Sequence, residues 1–117
     1  MVQTIVWNDN ISQNNIDRFE KSIKRLLYTN LRGIILNLEN VSYMNERALG
    51  IIADCVKEAK EMNKELVIIN NKSTIRTIFE IVRFYSIVQV FSYEHDALHY
   101  LEDLFSSSRM KVVSRLA

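Results

Sequence analysis

The sequence predicts a single α/β domain built on a mostly parallel four-stranded sheet with about four helices, and three observations carry that prediction. Short apolar runs rich in isoleucine, leucine and valine alternate with longer stretches whose apolar residues recur every three or four positions. The runs are continuous rather than alternating, as from Leu66 to Ile69, which suits strands covered by helices on at least one face. Strand and helix patterns also follow one another four times, with no internal linker, repeat or low-complexity segment, so parallel crossovers are the economical connections.

The first strand is expected from Val2 to Trp7, followed by the turn-prone cluster Asn8, Asp9 and Asn10, with Ser12 as the cap of the first helix. Ile16, Phe19, Ile23, Leu26 and Leu27 then trace one helical face, while Arg18, Lys21, Lys24 and Arg25 fall largely outside it. Glutamate and asparagine interrupt that basic face, which makes it a solvated surface rather than a membrane-binding one. A second strand spans Arg32 to Leu38. The second helix runs from Glu46 to Met62, with Ala48, Ile52, Cys55, Ala59 and Met62 at helical spacing.

The third strand is Glu65 to Asn70, and Ser73 is placed as the cap of a third helix whose inward stripe is Ile75, Ile78, Phe79, Val82 and Tyr85. A short fourth strand, Ile87 to Phe91, precedes a last helix opened by Ser92 or Tyr93, with Ala97, Leu98, Leu101, Leu104 and Phe105 inward. Ser106, Ser107 and Ser108 are expected to end it. The domain is therefore residues 1–105, and residues 106–117 are a C-terminal tail, either frayed or contributing an added edge strand.

Composition narrows the class. A chain of 117 residues can bury about two-thirds of its unfolded surface and needs no metal or disulfide to fold. Its apolar runs are far shorter than the roughly 20 residues that span a bilayer, and residues 1 to 7 lack the basic and apolar regions of a secretory signal. A cytoplasmic location is the resulting expectation, without membrane association. Net charge is +1, too small for the footprint of a dedicated nucleic-acid binder. The tail holds Arg109, Lys111 and Arg115 and no acid, which leaves 12 basic and 14 acidic groups in residues 1–105. Cys55 is the sole cysteine, so a disulfide within the chain is impossible, and its helical face makes it a small buried hydrophobe.

Chemistry is scarce in this sequence. With only Gly33 and Gly50, neither a G-x-G-x-x-G turn nor a P-loop can be written. The acidic cluster of a response-regulator-like phosphoacceptor is missing, since the second strand ends in Asn37, Leu38 and Glu39. His95 and His99 stand four apart on a predicted helix, a spacing that binds metals, but no third ligand is fixed and a polar outer face explains them. Nothing sets a base beside Ser42 or Cys55, so no catalytic residue, metal or cofactor is assigned and the chain is read as non-enzymatic.

The informative junction is Asn40-Val-Ser-Tyr-Met-Asn-Glu-Arg-Ala-Leu-Gly50, where a strand end passes directly into a helix N-terminus. Asn45 is placed to cap that helix, and the free N–H groups behind it favour negative charge. The turn carries a carboxylate, Glu46, beside a cation, Arg47, in place of a nucleophile. Trp7 and Tyr43 stand at predicted strand ends on the same edge, where open α/β sheets carry their binding sites; each ring taken singly is better read as capping the core, while the surface around them keeps a partner-contact role.

The stretch from Arg32 to Gly50 resembles the central segment of STAS domains, especially the bacterial anti-sigma factor antagonists, whose strand ends in Asp-Leu before an Asp-Ser-Ser-Gly-Leu-Gly helix start. Glu65-Leu-Val-Ile-Ile-Asn70 is similar to the family's next strand, Ser73 to Tyr85 to its third helix, and Ile87 to Leu101 to its closing strand and helix with Ala97-Leu98. The resemblance covers roughly residues 2 to 105 and implies a single STAS-like domain with helices packed mainly on one face of the sheet.

In phosphorylatable members a serine of that turn is modified by an anti-sigma factor that is also a kinase. Here the family aspartate falls on Asn45, the two serines on Glu46 and Arg47, and the glycine on Ala48, while Leu49 and Gly50 match. The phosphoacceptor position is Arg47, which cannot accept a phosphoryl group. The family's Gly-Glu-Leu-Asp loop aligns with Asp9-Asn10-Ile11-Ser12, of which only the apolar position is kept. The resemblance thus implies a regulator of transcription that binds a kinase-like anti-sigma factor or another signalling protein, without the serine switch. Its contact surface would comprise Asp9, Asn10, Ser12, Tyr43, Asn45, Glu46, Arg47 and Ala48. The alternative is a scaffold or ligand-sensing STAS module of a larger signalling or transport complex. A homodimer is compatible with either, and the segment Met110 to Leu116 is a candidate to cover the edge left where the family carries a further N-terminal strand.

Overall fold

A computed structural model of the chain describes residues 1–116, with side chains through Ser106. The element order is β1 (Val2–Val6), α1 (Ile16–Leu27), β2 (Gly33–Asn37), α2 (Glu46–Glu61), β3 (Glu65–Ile69), α3 (Ser73–Ile81), β4 (Val90–Phe91) and α4 (Glu94–Leu116). The four strands form one sheet in the order β1-β2-β3-β4, and all three pairings are parallel. Val2, Gly33 and Glu65 stand in register at one end and Val6, Asn37 and Ile69 at the other.

That order explains the layering. Crossovers between sequential parallel strands share one handedness, so the helices that make them land on one face. Ile34, Leu36, Leu66 and Ile68 accordingly pack with Phe19 and Ile23 of α1, Ile52 and Cys55 of α2, and Ile75 and Phe79 of α3. The last helix, α4, closes the opposite face, where Ala97 and Leu101 cover Ile35, Val67 and Ile69. With both faces covered, every residue of β2 is buried, which is why that run is continuously apolar.

Most element positions agree with the sequence reading, and several boundaries are corrected. Ser12 does not cap α1. Asn15 occupies the N-cap position, and its side chain turns back to the loop, accepting from Ser12 N at 3.0 Å and donating to Asn10 O at 2.8 Å. The third helix stops at Ile81, short of the predicted stripe through Tyr85. Val82 and Tyr85 are exposed, and Phe84 is buried in their place, stacked on Phe79 at 4.8 Å between ring centroids. Turning Phe84 inward requires the left-handed backbone of Arg83 (φ 56°), and a larger apolar surface is buried in exchange for the strain. A 3₁₀ turn (Phe84–Ser86) follows, and the fourth strand, expected from Ile87, is confined to Val90–Phe91, with Ile87 exposed. Ser73, placed as a cap, is instead the first residue of α3 after Lys72.

The end of α2 is clean. Asn63 adopts the left-handed conformation (φ 59°), and Lys64 N donates to Ala59 O at 2.8 Å while Asn63 N donates to Lys60 O at 3.1 Å. This pair of bonds satisfies the last carbonyls of the helix. The last helix does not end at Ser106 to Ser108 as expected but continues to Leu116, so the segment expected as a tail extends α4 instead of adding an edge strand; its side chains beyond Ser106 lie outside the described residues. Among the described residues no helix is long and apolar enough to cross a membrane.

Candidate functional site

Because the strands are parallel, their C-terminal ends share one edge, and the loops after β1, β2 and β3 meet there. Backbone bonds zip the first two loops together. Ile11 N donates to Tyr43 O at 3.0 Å and Asn45 N to Ile11 O at 3.1 Å, a parallel bridge between Ile11 and Met44. Side-chain amides reinforce it. Asn10 Oδ1 accepts from both Ser42 N at 2.8 Å and Tyr43 N at 3.1 Å, and Asn40 Nδ2 donates to Asn8 Oδ1 at 2.8 Å. Ile11, Val41 and Met44 are buried beneath, so the polar loops stand on an apolar floor.

The third loop is tied in by a residue that the sequence reading did not single out. Asn70 is buried, its Nδ2 donates to Leu38 O at 2.7 Å and Val41 O at 3.3 Å, and its Oδ1 accepts from Lys72 N at 2.8 Å. Thr74 Oγ1 adds a bond to Ser42 O at 2.9 Å. The only signal in the sequence was an asparagine ending an otherwise apolar strand, as Asn37 ends β2.

Asn45 caps α2 as expected. Its backbone is extended (φ −80°, ψ 171°), and its Oδ1 accepts from Ala48 N at 2.9 Å. Glu46 and Arg47 are exposed on the first turn. Arg47 Nη2 lies 3.8 Å from Asp17 Oδ1 of α1, an ion pair too long and too solvated to contribute much to stability. Asp9 and Asn10 are exposed and Ser12 is half-buried. Ala48 is fully buried, which removes its side chain from any contact surface; it stands on the inward stripe with Ile51, Ile52 and Cys55. The remaining predicted site residues are gathered by the zipped loops at one end of the molecule.

Beside this cluster, α2 and α3 frame a groove of about 320 Å³, lined chiefly by Tyr43, Leu49, Ile78, Ile81 and Val82. Ile81 is 76% exposed and Tyr43 53%, so the patch is apolar surface left in water. The groove was missed because Val82 was assigned to the core. Gly50 lies on the same helix with open space where a Cβ would stand, so its lack of a side chain serves no packing within the chain. Trp7, by contrast, closes the core: its ring meets Phe19 edge-on at 5.3 Å and Arg18 sits over it at 5.7 Å.

Outside this edge the chemistry is sparse. His95 is exposed, its Nε2 is 3.3 Å from Asp96 Oδ1, and among the described residues no group of three histidine, cysteine or acidic side chains is arranged to hold a metal. Burial pushes the Cys55 thiol up to about 11, which makes it a poor nucleophile at neutral pH.

Residues 4–97 match the model of the STAS domain family. The chain is 31% identical over 75 residues to the anti-sigma-B factor antagonist of Staphylococcus aureus (strain NCTC 8325 / PS 47), which covers 64% of this chain and 69% of that protein. In structure it is similar to an anti-sigma factor antagonist from Mycobacterium paratuberculosis, with a TM-score of 0.79 and 13% identity over 86% of each chain. It is similar as well to a sulfate transporter family protein from Wolinella succinogenes, with a TM-score of 0.77 and 14% identity over 90% of this chain and 88% of that one. The chain belongs to the STAS domain family.

Proposed function

We propose that this STAS-domain chain is a non-enzymatic regulator that acts as an anti-sigma factor antagonist, binding a cytoplasmic anti-sigma factor without a serine phosphorylation switch. The observation that carries the reading is the composition of the zipped edge: Tyr43, Glu46 and Arg47 stand exposed beside an apolar groove. The named function of the Staphylococcus aureus relative supports the class of partner.

On this reading Arg47 stands where the family's phosphoacceptor serine would be, and its guanidinium offers a bidentate donor to a partner carboxylate instead. Glu46 is a poor substitute for phosphoserine, because one charge replaces about 1.5 to 2 and Arg47 offsets it. Gly50 gives the partner's backbone a close approach to α2 next to the groove. A scaffold or ligand-sensing role uses the same fold, which the sulfate transporter family protein shares. It differs in what co-purifies.

The test is co-purification from the native cell followed by titration calorimetry with the anti-sigma factor recovered and by incubation with labelled ATP. Binding that is weakened at least tenfold by Ile81→Asp, with no label incorporated between residues 42 and 50, is the expected result. Arg47→Ser should create an acceptor there. Efficient labelling of the unmodified chain within those residues would refute the switch-free reading, and recovery of a transporter or scaffold without any anti-sigma factor would refute the antagonist reading.

A further inference from the structure

We infer that the outer edge of β1 is a self-association surface, at which two copies of this chain pair their β1 strands antiparallel to give one continuous sheet. Parity on the strand defines the edge. Trp7 N donates to Asn37 O and Met1 O accepts from Arg32 N, so the odd-numbered residues of β1 point their backbone groups at β2. Val2, Thr4 and Val6 therefore turn their N–H and C=O groups outward, and among the described residues no further strand pairs with that side.

The two edges of the sheet differ in kind. The β4 edge is two residues long, which is itself a protection against pairing. The β1 edge is five residues, Val-Gln-Thr-Ile-Val, without charge, proline or bulge, and three of the five are β-branched valine or threonine. Isoleucine adds a fourth.

The occupant argued for is a second copy, because the outward residues are self-complementary about a two-fold axis through Thr4. Thr4 then faces Thr4 of the other copy, and Val2 faces its Val6, each as a hydrogen-bonded pair exchanging two backbone bonds. Side chains agree with this register. Val2 packs on the α4 side of the sheet, and strand alternation puts Thr4 and Val6 on that same side. Val6 is 51% exposed, and in the pair it would lie against Val2 of the other copy. A carboxylate stands near the axis: Thr4 Oγ1 donates to Glu94 Oε1 at 3.4 Å. The dyad brings two such carboxylates toward each other, so added salt and Glu94→Gln should both tighten the pair.

Sedimentation velocity on the full chain across a hundredfold concentration range reads the assembly directly. A reversible dimer is expected, tightened severalfold by Glu94→Gln or by salt. Thr4→Pro removes an outward N–H together with the long, exposed side-chain bond to Glu94, and Val6→Lys places two charges in the pair; each should leave the chain folded by circular dichroism and shift it to monomer at the same concentrations. A monomer throughout the range overturns the inference, as does a dimer that both variants leave intact. A Thr4 amide protected from hydrogen exchange in dilute monomer also overturns it, since the chain's own segment would then occupy the edge.

Discussion

Replacing Asn70 by aspartate tests the amide that fastens the loop after β2 to the end of β3. Asparagine supplies two donor bonds, to Leu38 O and Val41 O, and one acceptor bond, from Lys72 N. Aspartate keeps the shape but carries no donor when ionised, so one carboxylate oxygen faces two carbonyl oxygens across the distances the amide had spanned. Two lost bonds at about 1 kcal/mol each, plus the desolvation of stranded buried acceptors, amount to about 3 to 4 kcal/mol. In a domain of this size that is roughly 10 to 15 °C in Tm.

The pH dependence identifies the cause. A protonated carboxyl can donate to Leu38 O, so the folded state should hold that proton more tightly than the unfolded chain, whose aspartate titrates near 3.9, at about its reference value. A raised acid contributes stability that is present below the unfolded pKa and lost as pH rises through the folded one. Urea unfolding of Asn70→Asp and the unmodified chain between pH 3.5 and 7 should show a gap that widens with pH. Asn70→Ala, which does not titrate, should show a constant gap. An aspartate variant within about 1 kcal/mol of the parent at pH 7, or a gap indifferent to pH, would refute the clamp.

The two glycines should respond in opposite directions. A Cβ at Gly33 would meet Val2 Cγ2 at 3.1 Å, Leu101 Cδ1 at 3.2 Å and Phe105 Cε2 at 3.2 Å, so Gly33→Ala should cost about 1 kcal/mol in urea unfolding. Gly50→Ala meets nothing within 4 Å in mid-helix and should raise stability by about 0.5 to 1 kcal/mol, even as it weakens partner binding. Alkaline stability should fall between pH 9 and 11, because Cys55, at about 11, keeps its proton in the fold while the unfolded thiol, near 9.0, loses it; stability is present below the unfolded value and lost through the folded one. Burial together with the bond to Glu65 pushes Tyr100 up to about 12, which extends the decline, and Cys55→Ala should remove its lower part. Arg47→Ala should change stability by less than about 0.5 kcal/mol by calorimetry, since its pair with Asp17 is solvated; a larger loss would mean that Arg47 supports the fold rather than a contact.

The strands, the first two helices and the capped junction were legible because each is a local pattern. Ile16, Phe19, Ile23 and Leu27 repeat at the helical period, and Asn45 precedes Glu46 where a cap belongs. The segment from Val82 to Gln89, between α3 and β4, was not legible. Val82 and Tyr85 continue the helical period of α3, and no local rule ranks them below Phe84, whose burial depends on Phe79 being there to stack upon. Asn70 and the groove escaped for the same reason. An asparagine at a strand end is a turn residue by its sequence, and it becomes a clamp only when a loop some 30 positions earlier is laid across it.

By itself the sequence determined the α/β class, the inward faces of α1 and α2, and the identity of the residues at the helix start after β2. Those follow from periodicity and capping, which act over a few residues. The tertiary structure decided which of those residues remain available. It buried Ala48, left Tyr43, Ile81 and Val82 in water, joined Asn10 to Ser42 and Tyr43, and turned one side of β1 outward. Exposure and pairing depend on which segments come to lie side by side, and contacts between residues far apart in the chain are set by the packing of the whole domain.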